Sequence, residues 1–212
     1  GSARAPSPEE LSSKEGFNKG RSKSPKLAEY YDATRMLTKR LTEWSKNLNK
    51  EDQKYVICSG GGPGIMMAAN RGASEAGGKN AAFRISLPLE NIHNPYVTQE
   101  LDFEFHYFFT RKFWFSYLAE ALVIMPGGFG TLDELFEAIT LIQTKKIAKF
   151  PIILVGTEFW TGLMDWVKAT LLDKFHNISP GDLDLFTIVD NEDEVLEALD
   201  TFYKKYNLSP NF

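Results

Sequence analysis

A glycine-rich stretch in the second half of the chain has the residue types of an anion-binding loop: Pro126-Gly127-Gly128-Phe129-Gly130-Thr131-Leu132-Asp133-Glu134. The apolar run 121–125 precedes it and predicts a buried strand, and the residues from Leu135 onwards predict a helix. We expect Thr131 to be the N-cap of that helix and Glu134 to be its third residue. The first N–H groups of the helix would then point into the loop, where they and the helix dipole favour a negative charge such as a phosphate.

The same residues also have a purely structural interpretation. A strand-to-helix turn needs glycines in any case, and Thr-x-x-Glu is an ordinary capping box whose carboxylate need not do chemistry. On this stretch alone, both interpretations of Thr131 and Glu134 stay open. Another glycine loop, Ser59-Gly60-Gly61-Gly62-Pro63-Gly64-Ile65-Met66, favours the functional one because it follows a short apolar strand at 55–58. Two such loops at the carboxyl ends of parallel strands would face one crevice, which is where open α/β sheets bind ligands.

A pair of cations, Arg111-Lys112, opens a helix predicted at about 110–120. Cations in a first helical turn are disfavoured by about 0.3–1 kcal/mol each at exposed sites, because the helix dipole is positive there. An anion opposite the pair would explain this placement. The alternative is a solvated pair whose charge is screened by salt.

Strands and helices alternate along the chain, and this order predicts what positions the loops. Strands are predicted at 55–58, 81–87, 101–108, 121–125, 151–155 and 185–189, of which 101–108 has the alternation of a half-exposed or edge strand. Helices are predicted at 26–45, 67–76, 110–120, 135–147, 159–175 and 193–206. The pattern is typical of an α/β fold, a doubly wound parallel sheet with helices on both faces. We expect 26–212 to form a single domain and 1–25, rich in Ser, Lys, Gly and Pro, to be a flexible arm or loop.

Composition argues against several classes of function. The 212 residues carry a formal net charge of −4, with 43% hydrophobic and 25% charged residues, which is typical of a globular domain and provides no basic surface for nucleic acid. No apolar run reaches the length of a membrane span and no leader pattern is present, so we expect a cytoplasmic protein with no membrane partner. The one cysteine, Cys58, excludes an internal disulfide, and its place at a strand end favours packing in the core.

Cofactor and metal motifs are missing as well. The dinucleotide fingerprint needs a third glycine three places after Gly62, where Ile65 stands, and no Walker loop or Gly-x-Ser-x-Gly elbow occurs. His93, His106 and His176 have no cysteine or carboxylate partners at ligand spacing. We therefore expect no cofactor and no metal.

Together these motifs resemble the LOG (LONELY GUY) family, whose members are often labelled lysine decarboxylases. The resemblance runs from about Gly1 to Val189. It rests on Gly60-Gly61-Gly62-Pro63-Gly64-Ile65-Met66, with Ala68-Ala69-Asn70-Arg71-Gly72-Ala73 and Gly77-Gly78 behind it, on Arg111-Lys112, and on the signature Pro126-Gly127-Gly128-x-Gly130-Thr131-x-x-Glu134. Asn94-Pro95-Tyr96 and 141–144 are closer to the broad bacterial nucleotide-binding branch than to the short plant enzymes.

The resemblance implies hydrolysis of the N-glycosidic bond of a nucleoside 5′-monophosphate to free base and ribose 5-phosphate. The substrate would be AMP or an N6-modified AMP of the cytokinin-activating type. The catalytic residues that the resemblance implies are Arg111 and Glu134. The substrate-binding residues are Gly61, Gly62, Gly64, Met66, Lys112, Gly127, Gly128, Gly130 and Thr131. A carboxylate suits this chemistry, because breaking a ribosyl–base bond develops oxocarbenium-like charge on the sugar. Asp133 is a second candidate for this carboxylate, and the alternative is that its side chain is simply exposed to solvent.

The resemblance also implies a homodimer or larger assembly. The helix predicted at 135–147 is apolar on more than one face, which indicates that it is buried or lies at a subunit interface. We expect the site to lie near that interface.

Two departures from the family pattern and two other functions stay open. Phe109-Thr110 stands where many members have Met-His-x before Arg-Lys, which bears on the choice of substrate. Gly1-Ser2-Ala3-Arg4 resembles the loop after the family's first strand, so we expect that strand to be missing before residue 1. A non-catalytic nucleotide-binding, sensing or cofactor-carrier protein on the same fold is the main alternative function. Lysine decarboxylation is the other, and it would need pyridoxal phosphate on a lysine.

Overall fold

The computed structural model describes residues 1–12, 22–48, 53–86 and 94–205, and the chain forms two compact units, Gly1–Phe113 and Trp114–Phe212. Each unit contains a three-stranded parallel sheet. Parallel neighbours in a sheet need a crossover connection, and α-helices provide most of these crossovers.

The first unit contains two parallel strand pairs. Its elements are α1 (Pro8–Ser12), α2 (Pro25–Leu48), β1 (Ile57–Ser59), α3 (Ile65–Glu75), β2 (Asn80–Ile85), a 3₁₀ turn (Gln99–Leu101), β3 (Asp102–Phe105) and the start of α4 (Phe108–Leu118). The strands lie in the order β1-β2-β3, with Ile57 opposite Asn80 and Ala82 opposite Asp102. β3 is therefore an edge strand of this sheet, as its alternating sequence predicted.

Close packing of α2 on α3 positions the start of α3. A Cβ at Gly72 would collide with the carbonyl of Arg35 and the hydroxyl of Thr38, so glycine is needed for the two backbones to approach. Tyr31 and Leu37 are each 3% exposed on the buried face of α2. The close approach at Gly72 supports the helix that follows the loop at residues 60–64.

The second unit has its core around a parallel sheet of order β4-β5-β6. Its elements are β4 (Leu122–Ile124), α5 (Phe129–Gln143), β5 (Ile152–Val155), α6 (Thr157–Trp166), a π-helical segment (Val167–Lys174), a 3₁₀ segment (Pro180–Leu185), β6 (Phe186–Val189) and α7 (Glu192–Lys205). Leu135 and Leu154 are fully buried in the core. So is Trp160, whose indole N–H donates to the carbonyl of Val155 at 3.0 Å. α5, which follows the glycine-rich loop, is therefore anchored on one face.

The predicted α/β class is confirmed, because parallel strands alternate with helices on both sides of the sheets. The single domain over 26–212 and the flexible arm over 1–25 stay predictions; the described part of that arm includes α1. Parts of the strand predicted at 81–87 and of the helix predicted at 193–206 lie outside the described residues, as does His93. Within the described ranges, no helix is long and apolar enough to cross a membrane.

Three local predictions differ from the structure in detail. α4 begins at Phe108, two residues earlier than expected, because the strand before it ends at Phe105. α5 begins at Phe129, before Thr131. Cys58 keeps an exposed surface, because alternate residues of a strand point to opposite faces and its neighbour Ser59 is the buried one, although the surrounding chain buries the thiol enough to raise the pKa of Cys58 to about 12.

Candidate functional site

The signature loop (residues 126–131) joins β4 to the first turn of α5, and its residues 126–130 change from buried to exposed along the chain. Pro126 is fully buried and Gly127 half-buried, whereas Gly128 and Gly130 are exposed. The side chain of Phe129 is 92% exposed. The exposed part of the loop is therefore the start of the helix.

The start of α5 differs from the capping box that the sequence predicted. Gly128 is the N-cap, with φ −92° and ψ −157°, and among the described residues no side chain caps the helix. Thr131 is the third helical residue, and its amide donates to the carbonyl of Gly128 at 3.0 Å. Glu134 is the sixth helical residue, too far from the N-cap to reach it. The capping-box interpretation of Thr131 and Glu134 is therefore wrong.

Packing at Gly127 gives a physical reason for the early helix start. A Cβ at Gly127 would collide with the side chain of Thr131, which is 9% exposed. Thr131 therefore packs back over the loop from within the first turn. Gly128 and Gly130 differ, because a Cβ at either position meets none of the described atoms within 4 Å. Neither of these glycines is required by packing.

The open amides at the start of α5 are the feature that suits an anion. The first N–H groups of a helix have no carbonyl one turn earlier, and here they belong to Phe129 and Gly130. The amide of Thr131, which the sequence analysis predicted to bind the anion, donates instead to the carbonyl of Gly128. The space beside Gly128 and Gly130 leaves room for a phosphate oxygen against positive helix-dipole charge.

Of the two candidate carboxylates, Glu134 is better placed to act at this loop. Glu134 follows Gly130 by four residues, so the two share one face of α5. Helical side chains lean towards the N-terminus of their helix, and for α5 that end is the signature loop. Glu134 is half-buried whereas Asp133 is exposed. This exposure favours the alternative that Asp133 is a solvent-exposed residue and not a second catalytic carboxylate.

Arg111 and Lys112 are the fourth and fifth residues of α4, and both are half-buried. The dipole effect is confined to the first turn, so the misplacement that suggested an anion is weaker than the sequence predicted. The guanidinium carbon of Arg111 lies 5.2 Å from the ring centroid of Phe108, a cation–π geometry. This contact holds Arg111 against the start of its helix.

The Gly60 loop (residues 60–64) connects β1 to α3. Gly61 and Gly64 both have φ +68°, a left-handed conformation that other residues rarely adopt. A Cβ at Gly62 would lie 2.8 Å from Cε of Met66, so the Met66 side chain covers this loop. The role of Met66 in substrate binding stays a prediction.

The start of α3 is already in contact with the N-terminal segment. The amide of Ile65, the first residue of α3, donates to the carbonyl of Ser2 at 3.0 Å. A Cβ at Gly64 would also collide with that carbonyl. Unlike the signature loop, the Gly60 loop therefore does not offer the first amide of its helix to an anion.

Two side chains that support the Gly60 loop, Ser59 and Asn70, stand in the motifs that the sequence analysis quoted, but the sequence analysis gave neither of them a role. The hydroxyl of Ser59 accepts the amide N–H of Gly61 at 3.0 Å and donates to Oδ1 of Asn70 at 2.6 Å. Both side chains are buried. The signal that could have found Asn70 is its position between Ala68 and Ala73 on the apolar face of α3, where an amide needs partners.

The predicted site residues fall in both units. Those in the first are Gly61, Gly62, Gly64, Met66, Arg111 and Lys112, and those in the second are Gly127, Gly128, Gly130, Thr131 and Glu134. The crevice that would join the two loops stays a prediction. Within the described ranges, no group of three His, Cys, Asp or Glu side chains could hold a metal ion.

Comparisons with known proteins identify relatives by sequence. A family model described as "Possible lysine decarboxylase" matches residues 66–199. A cytokinin riboside 5′-monophosphate phosphoribohydrolase from Mycobacterium tuberculosis is 37% identical over 81 residues, which are 38% of this chain and 42% of that protein. A probable enzyme of the same name from Oryza sativa subsp. japonica is 26% identical over 98 residues, 46% of this chain and 38% of that protein. The chain thus spans well under two thirds of the length of these relatives.

Solved structures share the fold over most of the chain. The X-ray structure of the structural-genomics target TM1055 has a TM-score of 0.55 at 22% identity, covering 84% of this chain and 91% of that one. The molybdenum cofactor carrier protein of Chlamydomonas reinhardtii has a TM-score of 0.58 at 18% identity, covering 83% and 89%. At such identities the likeness shows the fold alone.

Proposed function

We propose that this chain hydrolyses the N-glycosidic bond of nucleoside 5′-monophosphates. The chain belongs to the LOG family, whose model carries the description of a possible lysine decarboxylase. The substrate is AMP or an N6-modified AMP, and the products are the free base and ribose 5-phosphate. One observation carries the proposal. The open amides of Phe129 and Gly130 lie at the start of α5, and Glu134 follows one turn later on the face of Gly130.

The signature loop binds the 5′-phosphate in this proposal. The amides of Phe129 and Gly130 donate to phosphate oxygens, and the exposed backbone of Gly128 allows close approach. Gly127 is needed for the packing of Thr131, which keeps the first turn of α5 in place. Phosphate is therefore the part of the substrate that this loop recognises.

Glu134 acts on the sugar. As the bond from C1′ to the base nitrogen breaks, its electron pair goes to the base and positive charge develops on the ribose, which a carboxylate stabilises. The same carboxylate positions a water molecule and accepts a proton as the water oxygen bonds to C1′. That proton ends on the departing base, so water and nucleotide give base and ribose 5-phosphate.

Arg111, Lys112 and the Gly60 loop, all in the first unit, are further residues that we propose to bind the substrate. A guanidinium is suited to a phosphate or to a departing base that gains negative charge, and Lys112 adds a second cation. Gly61, Gly62 and Gly64, with Met66 over them, bind the rest of the nucleotide. The curated relatives named above carry the name of enzymes with this activity, which supports the proposal.

The alternative is a non-catalytic nucleotide-binding or cofactor-carrier protein. The fold likeness to a molybdenum cofactor carrier is consistent with it, since one fold can serve both functions. A catalyst and a carrier differ in turnover, because both bind a phosphate-bearing ligand but only the catalyst releases base.

The test is incubation of the protein with AMP and chromatographic separation of the products. We expect adenine and ribose 5-phosphate in equal amounts. Glu197→Gln is the matched control for a carboxylate change, because Glu197 is an exposed residue of α7, outside both loops, and should turn over AMP normally. Binding of AMP without release of adenine would favour the carrier. A spectral change on adding pyridoxal phosphate would reopen lysine decarboxylation.

A further inference from the structure

Asn70 is a buried polar residue in the interior of α3. Its side chain is 0% exposed, although asparagine is a poor helix former and a buried amide is costly unless all its hydrogen bonds are made. It is not among the site residues that the sequence predicted.

The side-chain amide of Asn70 uses its full hydrogen-bonding capacity. Nδ2 donates to Oδ1 of Asn80 at 2.8 Å and to the carbonyl of Ala81 at 3.0 Å. Oδ1 accepts from the hydroxyl of Ser59 at 2.6 Å and from Nδ2 of Asn94 at 3.0 Å. An asparagine side chain has two donors and two acceptor positions, so the orientation of this amide is fixed. It connects the ends of β1 and β2 with the chain at residue 94.

The bond to Ser59 extends this network to the Gly60 loop. Because the Ser59 hydroxyl hydrogen goes to Asn70, a lone pair of the same oxygen is directed to the amide of Gly61, which donates to it at 3.0 Å. Gly61 has φ +68°, the left-handed conformation with which the loop begins its turn. Asn70 thus determines which way the hydroxyl points, and the hydroxyl determines where the Gly61 amide is held.

We propose that Asn70 is a positioning residue for nucleotide binding, which holds the Gly60 loop in its ligand-binding conformation through the Ser59 hydroxyl. The proposal rests on the proposed function of this loop as part of the nucleotide site. Asn70 does not touch the substrate. Its loss should raise KM for AMP and leave kcat nearly unchanged, since the proposed reacting groups lie elsewhere.

A purely structural role for Asn70 makes a different prediction. Asn70 also ties down β2 and the segment at Asn94, so its removal lowers the melting temperature under either interpretation. The two roles predict different effects of Asn70 on AMP binding when the Ser59 hydroxyl is absent. If Asn70 acts on the loop through Ser59, its effect on AMP binding should disappear once the hydroxyl is gone.

The experiment is a double-mutant cycle of Asn70→Ala and Ser59→Ala, at a temperature below the melting point of every variant. We expect KM to rise about tenfold or more in each single variant and no further in the double variant, with kcat within about threefold. Ser59→Thr keeps the hydroxyl and should keep the wild-type KM. Leu37→Ala, a buried change on α2 in the same unit, is the matched control for destabilisation and should also leave KM unchanged.

A second Asn70 variant keeps the proposal testable if Asn70→Ala does not fold. Asn70→Asp has the same shape and keeps an oxygen towards Ser59, but it cannot donate to Asn80 and Ala81. We expect it to melt at a lower temperature and to retain the wild-type KM. A raised KM in Asn70→Asp, an unchanged KM in Ser59→Ala, or additive effects of the two alanine variants would overturn the proposal.

Hydrogen exchange separates failure of this proposal from failure of the proposed function. The amide of Gly61 should lose protection in Asn70→Ala and in Ser59→Ala but not in Leu37→Ala, whether or not the protein turns over AMP. If the wild type released no adenine and this pattern still appeared, the proposed hydrolysis would fail and the positioning role would stand. Equal protection of Gly61 in all variants would refute the role of Asn70 even in an active enzyme.

Discussion

Replacing Gly130 by alanine should make the protein more stable and less able to bind nucleotide. Gly130 is the second residue of α5 and does not have a positive φ, so alanine can adopt its conformation. None of the described atoms lies within 4 Å of the Cβ that the substitution adds. The folded protein therefore has room for the methyl group, whereas a phosphate bound at the Gly130 amide would meet it.

The size of both effects follows from this geometry. Alanine in place of glycine in a helix stabilises by about 0.5–1 kcal/mol, which corresponds to a melting temperature roughly 1–4 °C higher for a chain of this size. A displaced phosphate loses at least one charge-assisted hydrogen bond, worth about 1.5–3 kcal/mol. This loss corresponds to a kcat/KM for AMP that is roughly 10- to 100-fold lower.

Calorimetry and steady-state kinetics measure the two effects on one preparation. Gly162→Ala is the matched control, because Gly162 lies in α6, outside both loops, and its Cβ also meets none of the described atoms within 4 Å. It should raise the melting temperature in the same way and leave kcat/KM unchanged. If Gly130→Ala kept the wild-type kcat/KM, the phosphate would not lie where we place it. A lower melting temperature would instead show that the first turn of α5 has no room for the methyl group.

Four further predictions test other parts of the site and the fold. Glu134→Gln should lower turnover of AMP by about 10²–10⁴-fold while AMP binding is retained. The melting temperature should change little, because Gly128 and not Glu134 is at the helix cap. Near-normal turnover would remove Glu134 from the mechanism. Adenosine should be a very poor substrate because it lacks the phosphate that the signature loop binds, and kcat/KM values comparable to those of AMP would contradict this. Light scattering should show a homodimer, and a species of the chain mass, 24.0 kDa, at micromolar concentration would exclude it. Trp160→Phe should lower the free energy of unfolding in urea by about 2–4 kcal/mol, since it leaves a void and removes the indole N–H that donates to the Val155 carbonyl. A loss below about 0.5 kcal/mol would show that this hydrogen bond is dispensable.

The α/β class and most element positions could be predicted from the sequence, because both depend on local patterns. The strands at β4 and β5 are short apolar runs, and apolar runs followed by glycines and a helical pattern are typical of strand, loop and helix in an α/β fold. The edge position of β3 was also predictable, since alternation of apolar and polar residues indicates one covered face. Family membership followed from the spacing of glycines within single loops, which is a local property too.

The helix cap of α5 and the support of the Gly60 loop were decided only by tertiary structure. Thr131 and Glu134 have the spacing of a capping box, but Thr131 packs against Gly127 in the folded chain and the helix begins two residues earlier, at Phe129. Asn70 carries no local signal for its role, because its partners Ser59, Asn80 and Asn94 come from other elements. Hydrogen bonds between residues distant in sequence depend on how the elements pack, and no pattern within one element specifies them.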